Sequence, residues 1–284
     1  VTGAVPGRFI APDPALADSA DPAAALGIVI RSGYRAIDES GRLAGASRIF
    51  DTLMAAAATI DLPYEDQCSA QYYFDLVRTL RDFNGEFDRV VEVGVYLGGS
   101  STILAGCMAP FGFALDLVDI DAGNLQFAHE RARRVDPAAA GRMRLFHGDL
   151  PAYVRAVMLA EPGRYIVHHD GDHRFDQVVR DMAALSFVQD RLVAIIAQDT
   201  HLRGRVEYMN FVDMALYAVF GLDLKYAAIG TSYAAADGRT APDAYYGNYF
   251  VADAPEGFVL PMALNRFRYP HPAQAIADFL PPAG

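Results

Sequence analysis

The sequence predicts an α/β protein: a doubly wound, mostly parallel sheet of seven strands with an antiparallel final strand, preceded by an N-terminal helical cap. Three observations predict it. Short apolar runs alternate with helical patterns between Arg89 and Ala197, a glycine turn joins the first such strand to its helix, and the last two strand-like runs lack a helical crossover. Strands covered on both faces lose apolar/polar alternation and need crossover helices, which marks a parallel sheet. Two strands joined by a loop alone pair antiparallel.

The bulk composition agrees. A chain of 284 residues, 52% hydrophobic and 21% charged, can bury a substantial core. A formal charge of -11, with lysine almost absent, argues against a nucleic-acid partner, which needs a concentrated basic surface. Cys68 and Cys107 stand far apart without a Cys-x-x-Cys, so a zinc knuckle is excluded and two reduced, buried thiols are expected. No apolar run approaches the ~20 residues that span a bilayer. Val1 to Arg8 has no basic stretch leading into an apolar core, so the chain reads as cytoplasmic with no membrane partner.

Taken in order, residues 1–25 are rich in Pro, Ala, Asp and Gly and read as an arm that is loosely ordered or packed on a partner. Helical patterns cover Ala46 to Ile60 and Gln67 to Phe83, the second with an apolar face of Phe74, Leu76, Val77 and Leu80 and a stop at Asn84-Gly85. Residues 1–85 thus form an arm and cap, and 86–284 the sheet domain. The Ala-rich helices suit a homo-oligomer. Tyr72 and Tyr73 read as packing residues.

Val90 to Val93 is the first buried strand, broken by Gly94 and by Gly98-Gly99. Ser100, Ser101 and Thr102 then offer N-cap chemistry to the helix Ile103 to Met108. Unpaired N–H groups at such a joint attract an anionic or polar ligand group. The strands Phe113 to Ile120, Met143 to Phe146, Tyr165 to Val167 and Leu192 to Ala197 alternate with helices Asn124 to Val135, Ala152 to Leu159 and Phe175 to Leu185. Glu130, Arg131, Arg133 and Arg134 fall on the wet side of theirs. Val206 to Phe220 reads as a long helix with Glu207 and Asp213 on a solvated face, and Leu222 to Ile229 and Tyr246 to Ala252 as the antiparallel pair. The loop between them, with Tyr233, Tyr245 and Tyr246, suits the wall of a pocket.

In open α/β sheets the ligand lies at the carboxyl ends of the strands. Those ends carry Gly94; Asp119 and Asp121; His147-Gly-Asp149; His168-His-Asp-Gly-Asp-His173; and Gln198-Asp-Thr-His201. Asp119 can accept both hydroxyls of a ribose, since two acceptor oxygens match a vicinal diol. Asp170-Gly171-Asp172 is also a turn sequence, and Asp172 could cap the helix that follows. His168 reads as a hydrogen-bonded core histidine and His147 as structural, while His169 points to the other face.

The motif Glu92-x-Gly94-x-x-x-Gly98 resembles the first motif of class I S-adenosylmethionine-dependent methyltransferases, with Tyr96 where many members carry glycine. That tyrosine also departs from the Gly-x-Gly-x-x-Gly of nicotinamide enzymes. The resemblance implies a Rossmann-like sheet and a cofactor held by Glu92, Gly94, Tyr96, Gly98, Ser100, Asp119 at the ribose and Asp149 at the adenine amino group. From Arg89 to Arg203 the chain resembles a subgroup that includes the cephalosporin-hydroxylase-like and macrolide-sugar O-methyltransferases, in which Asp-x-x-His follows strand four and a carboxylate pair follows strand five. By that resemblance Asp170 and Asp199 bind Mg²⁺ and His173 is the base, with His201 as its alternate. Gln198 stands where the subgroup has the other half of its pair; its amide oxygen can still coordinate, with one negative charge fewer. The expected reaction is O-methylation of a small-molecule hydroxyl, on a sugar or a specialised metabolite such as an antibiotic. The alternatives are metal-independent N-methylation and a catalytically silent binding module of the same fold.

Overall fold

The apolar run after Arg89 becomes the central strand of the protein. A computed structural model describes residues 7–204, 210–242, 244 and 247–268. Its main sheet comprises β1 (Arg8–Ile10), β2 (Arg89–Val93), β3 (Ala114–Asp119), β4 (Met143–His147), β5 (Tyr165–His169), β6 (Leu192–Gln198), β8 (Ala227–Ile229) and β10 (Gly257–Pro261), while β7 (Leu202–Arg203) and β9 (Tyr249–Phe250) pair apart. The spatial order is β1-β4-β3-β2-β5-β6-β10-β8. The five strands β4, β3, β2, β5 and β6 run parallel, and β10 returns antiparallel between β6 and β8. This is the doubly wound, mostly parallel sheet that the sequence predicts, extended by one edge strand.

Two hydrophobic layers cover it. Helices α2 (Arg48–Ala57), α3 (Ala70–Asp82), α4 (Gly99–Phe111) and α5 (Ala122–Val135) pack on one face. On the other lie α6 (Leu150–Tyr153), α7 (Phe175–Leu185) and α8 (Val212–Phe220). The cap helices begin at true side-chain caps, Ser47 accepting from Phe50 N and Ser69 from Tyr72 N. They share one apolar cluster with α4 and the sheet, so the cap is part of the core.

Several expectations need correction. The arm packs on its own domain over its described residues, 7–25: β1 pairs antiparallel with β4, and after it α1 (Pro22–Ala25) packs near α5, where Arg134 donates to the Ser19 carbonyl. Glu130 and Arg131 are buried, because the cap covers the outer side of α5. Arg131 pairs with Asp66 at 2.5 Å and donates to the Leu97 carbonyl. The segment 154–158 after α6 winds as a π-helix. Val212 starts α8; Asn210 instead bridges to Arg174, and 205–209, with Glu207, lie outside the described residues. Asp213 is ion-paired with Arg203 at 2.8 Å.

The antiparallel pair also differs. Tyr249–Phe250 pairs with Leu202–Arg203, and the main-sheet partner of Ala227–Ile229 is Gly257–Pro261. Tyr245 and Tyr246 fall outside the described residues. Among the described residues no helix is long and apolar enough to cross a membrane, and both cysteines are free and buried.

Candidate active site

The glycine turn is locked by backbone proximity. Gly94 sits at φ +79°, and a Cβ there would stand 2.1 Å from the Asp170 carbonyl oxygen, so no side chain fits. Its N–H donates to the Val118 carbonyl, and Asp170 N–H donates to the Val93 carbonyl. Gly98, at φ +69°, caps α4 with no side chain and lets α5 approach, with Ala128 Cα 2.6 Å from a virtual Cβ. Ser100 therefore does not cap; it lies in the first turn and donates to Glu92 Oε1 at 2.5 Å. Tyr96 adopts φ +40° and donates to Glu65 Oε1 at 3.3 Å. Glu65 in turn accepts from the N–H groups of Arg31, Ser32 and Gly33; burial opposes its charge, yet these donors hold its pKa below the ordinary carboxylate range.

Register places His168 beside Glu92. Its Nδ1 stands 3.5 Å from Glu92 Oε1, and its Nε2 meets Tyr72 OH at 2.9 Å. A buried polar chain thus runs from α4 through β2 and β5 to α3, and His168 is the core histidine its position in the strand suggests. Glu92 Oε2 is buried without a partner among the described residues. An orphaned carboxylate oxygen under a glycine turn is a place for a polar ligand group, as the amine of an amino-acid moiety would supply.

Asp119 ends β3 and closes the turn, accepting from Val95 N–H at 2.9 Å and Asp121 N–H at 2.8 Å. Burial pushes its pKa up despite these bonds. Asp121 caps α5. Asp149 caps α6 and pairs with Arg180 at 3.1 Å, so both its oxygens already have partners. His147 bonds the Ile120 carbonyl at 3.0 Å, and His169 bonds Asp181 at 2.9 Å on the α7 side. Asp172 accepts from Arg174 N–H and pairs with its guanidinium just ahead of α7.

The ends of β5 and β6 bring Asp170, His173 and Asp199 together, with one ligand atom of each within 4.8 Å of the others. His173 Nε2 lies 3.3 Å from Asp199 and 3.5 Å from Asp170. Asp199 holds φ +57°, an unfavourable backbone for a non-glycine residue that aims its carboxylate at the imidazole. Burial pushes Asp170 up to about 6. Burial alone would lower His173, but Asp199 and Asp170 raise it to about 9, so it is an imidazolium at neutral pH.

Gln198 completes the centre. Its amide lies between Cys68 Sγ and the Asp170 carboxylate: with the NH₂ toward Asp170 it donates to both carboxylate oxygens and turns its oxygen to the thiol, whereas the reverse orientation sets Nε2 3.1 Å from Cys68 Sγ and leaves the amide oxygen facing only acceptors. An amide oxygen turned toward Asp170 is repelled by its carboxylate unless a cation lies between them, so without a cation the amide donates to Asp170. Two carboxylates and an amide oxygen that can turn toward them suit a hard divalent cation, with an imidazole alongside. His201, next along the chain, is buried between Phe250 and Tyr233, with ring centroids 4.5 and 5.8 Å away. Its burial pulls the pKa down to about 4, and neither ring nitrogen has a partner among the described residues.

Three residues here carry no sequence signal of their own. Cys68 and Ser69 come from the start of α3, and Glu256 precedes β10. Pairing of Gly257 with Gln198 sets Glu256 beside Asp199. Glu256 accepts from Ser69 N–H, Ser69 Oγ and Thr231 N–H, and its burial pushes it up to about 7.

Residues 91–200 match the family described as a methyltransferase domain. That span holds the glycine turn, Asp119, Asp149, Asp170, His173 and Asp199. The match covers 110 of the 284 residues, the part of the sheet that carries these strand ends. Among solved structures, this chain is similar in fold to cofactor-bound Rv0187 from MTB, at 16% identity over 79% of this chain and 94% of that one, TM-score 0.50. Two further likenesses are the O-methyltransferase from Bacillus cereus in complex with SAH (14% identity, 80% and 96% covered, TM-score 0.47) and the O-methyltransferase TomG from Streptomyces achromogenes in complex with SAM (16%, 79% and 93%, TM-score 0.48). No curated protein matches the chain in sequence.

Proposed function

We propose that the chain is a class I S-adenosylmethionine-dependent methyltransferase that alkylates a hydroxyl of a small polar acceptor, using a divalent cation held by Asp170, Asp199 and the amide oxygen of Gln198, with His173 as base. The observation that carries this is the convergence of Asp170, His173 and Asp199 at two strand ends packed directly on the cofactor turn. A bound cation would acidify the acceptor hydroxyl and fix its oxygen in line with the donor methyl. With their charge engaged, the two carboxylates no longer hold the His173 proton, and Nε2 can take the proton of the hydroxyl. The acceptor oxygen then donates its lone pair to the methyl carbon, and the C–S bond electrons leave on sulfur as S-adenosylhomocysteine.

On this reading Glu92 and the 94–100 turn receive the methionine portion of the donor, Asp119 the ribose and Asp149 the adenine edge. Residues 1–85 serve as arm and cap, and His201, Tyr233 and Phe250 form an aromatic wall suited to the apolar face of a ring such as a sugar. The decisive measurement is binding of S-adenosylhomocysteine and of Mn²⁺, as a Mg²⁺ surrogate, to wild type and Asp199→Asn. The variant should keep the nucleoside and lose Mn²⁺ affinity at least ~10-fold, as loss of a ligating charge does. Equal Mn²⁺ binding by both proteins would refute the metal centre.

One observation favours a second reading, metal-independent transfer to nitrogen. His201 is held neutral, and neither of its ring nitrogens has a hydrogen-bond partner among the described residues. Activity that survives chelator and Asp199→Asn but fails in His201→Ala would select it.

A further inference from the structure

We propose that Cys68 is a positioning residue for the metal centre: its thiol decides which way the Gln198 amide faces, and so whether Asp170 is open to a cation. This rests on the metal reading above. Gln198 is 1% exposed and Cys68 2% exposed, so neither has water as an alternative partner. The amide lies between Cys68 Sγ on one side and the Asp170 carboxylate on the other. In one orientation the NH₂ donates to the sulfur and the oxygen is presented toward Asp170, adding a third oxygen ligand. In the other the NH₂ donates to both Asp170 oxygens and closes them off, while the amide oxygen turns to the thiol.

Only a side chain that both donates and accepts serves both orientations, and a thiol does so weakly. Without it, the open orientation strands a buried NH₂ group with no acceptor. The closed orientation keeps its two strong donations to a carboxylate. Loss of the sulfur therefore biases the amide against the cation. A carboxylate at position 198 would have no orientation to choose, and the thiol would have nothing to decide. Cys68 lies at the start of the cap helix α3, over a hundred residues before the strand it serves, so the dependence also ties metal affinity to the seating of the cap.

The test is Mn²⁺ affinity, read by electron paramagnetic resonance on the full chain, for Cys68→Ala and Cys68→Ser in wild-type and Gln198→Glu backgrounds. Far-UV circular dichroism and melting temperature report that each variant folds. Cys68→Ala should weaken Mn²⁺ on the order of 10-fold, as loss of an outer-shell partner does. Cys68→Ser, whose hydroxyl donates and accepts, should recover most of that, and the Cys68→Ala effect should vanish in the Gln198→Glu background. An alanine variant that binds Mn²⁺ as wild type does, a serine variant as weak as alanine, or an equal loss in the Gln198→Glu background would each overturn the proposal. Absence of Mn²⁺ binding in every protein, wild type and Gln198→Glu included, would overturn the metal reading itself and this inference with it.

Discussion

Gly94→Ala tests whether the donor turn and the acid cluster are one rigid unit. The new Cβ would stand 2.1 Å from the Asp170 carbonyl oxygen and 2.6 Å from Gly171 Cα, at φ +79°. Ordinary contact begins near 3.4 Å, so the backbone after β5 must retreat by about 1 Å, an overpacking that costs ~1–3 kcal/mol. The left-handed backbone adds ~1–2 kcal/mol for an alanine. For a chain of this size the sum lowers the melting temperature by about 5–15 °C. Asp170 moves with that backbone while Asp199, which follows β6, is held by a different strand. A misplacement of about 1 Å at a reacting centre costs on the order of 100-fold in rate. Differential scanning fluorimetry, S-adenosylhomocysteine calorimetry and Mn²⁺ titration should therefore all change together, although Gly94 has no side chain to touch any ligand. A variant that melts within 1–2 °C of wild type and binds both ligands normally would refute the packing of the two loops.

Two predictions concern the walls of the site. Glu256 has its pKa raised to about 7 in the fold, above the ordinary carboxylate value, so its contribution to stability is complete below about 4.5 and lost as pH rises through about 7. At 1.36 kcal/mol per unit this is about 3 kcal/mol at most; Glu256→Gln, which mimics the protonated acid, should flatten the fall in chemical-denaturation stability between pH 5 and 8, and an unchanged slope would count against it. Asp66→Asn leaves the buried Arg131 guanidinium without its 2.5 Å counter-charge. It should cost ~3–5 kcal/mol in urea denaturation, and a loss under 1 kcal/mol would show that Arg131 is compensated by the Leu97 and Glu65 carbonyls it also meets.

What was legible in the sequence follows from the range of the contacts involved. The placement of Asp119, Asp149, Asp170 and Asp199 along one edge was readable because each lies at the end of its own apolar run, and a parallel sheet gathers those ends. The centre Asp170–His173 is a local turn and needs only one strand of its neighbour. Arg131 was misread because a helical wheel assigns polar residues to water, whereas here the cap lies over that face and supplies Asp66 from 65 residues upstream. The helix start at Ser100 was misread because its hydroxyl goes to Glu92, a partner visible only once β2 and α4 are adjacent. Cys68 and Glu256 have no local pattern at all; antiparallel register between β10 and β6 and the docking of α3 bring them in. β10 was missed because an isolated run of three apolar residues gives no period to count.

The charge balance of the centre bears on which acceptor it can serve. Without a cation, Asp170 and Asp199 face one imidazolium, for a sum of one negative charge. On the metal reading, a divalent cation that releases the His173 proton leaves two carboxylates, a doubly positive ion and a neutral imidazole, and the sum is zero. A carboxylate at position 198 would leave that loaded centre negative; Gln198 leaves it balanced. Glu256, the next carboxylate out, is near half-protonated at pH 7 and adds less than a full charge. A balanced, partly buried centre favours a neutral hydroxyl, whose proton passes to His173 without changing the total, over an acceptor that arrives as an anion. The same balance explains why the imidazole must be poised against the cation: the proton it holds before loading is the one it must give up before it can take another.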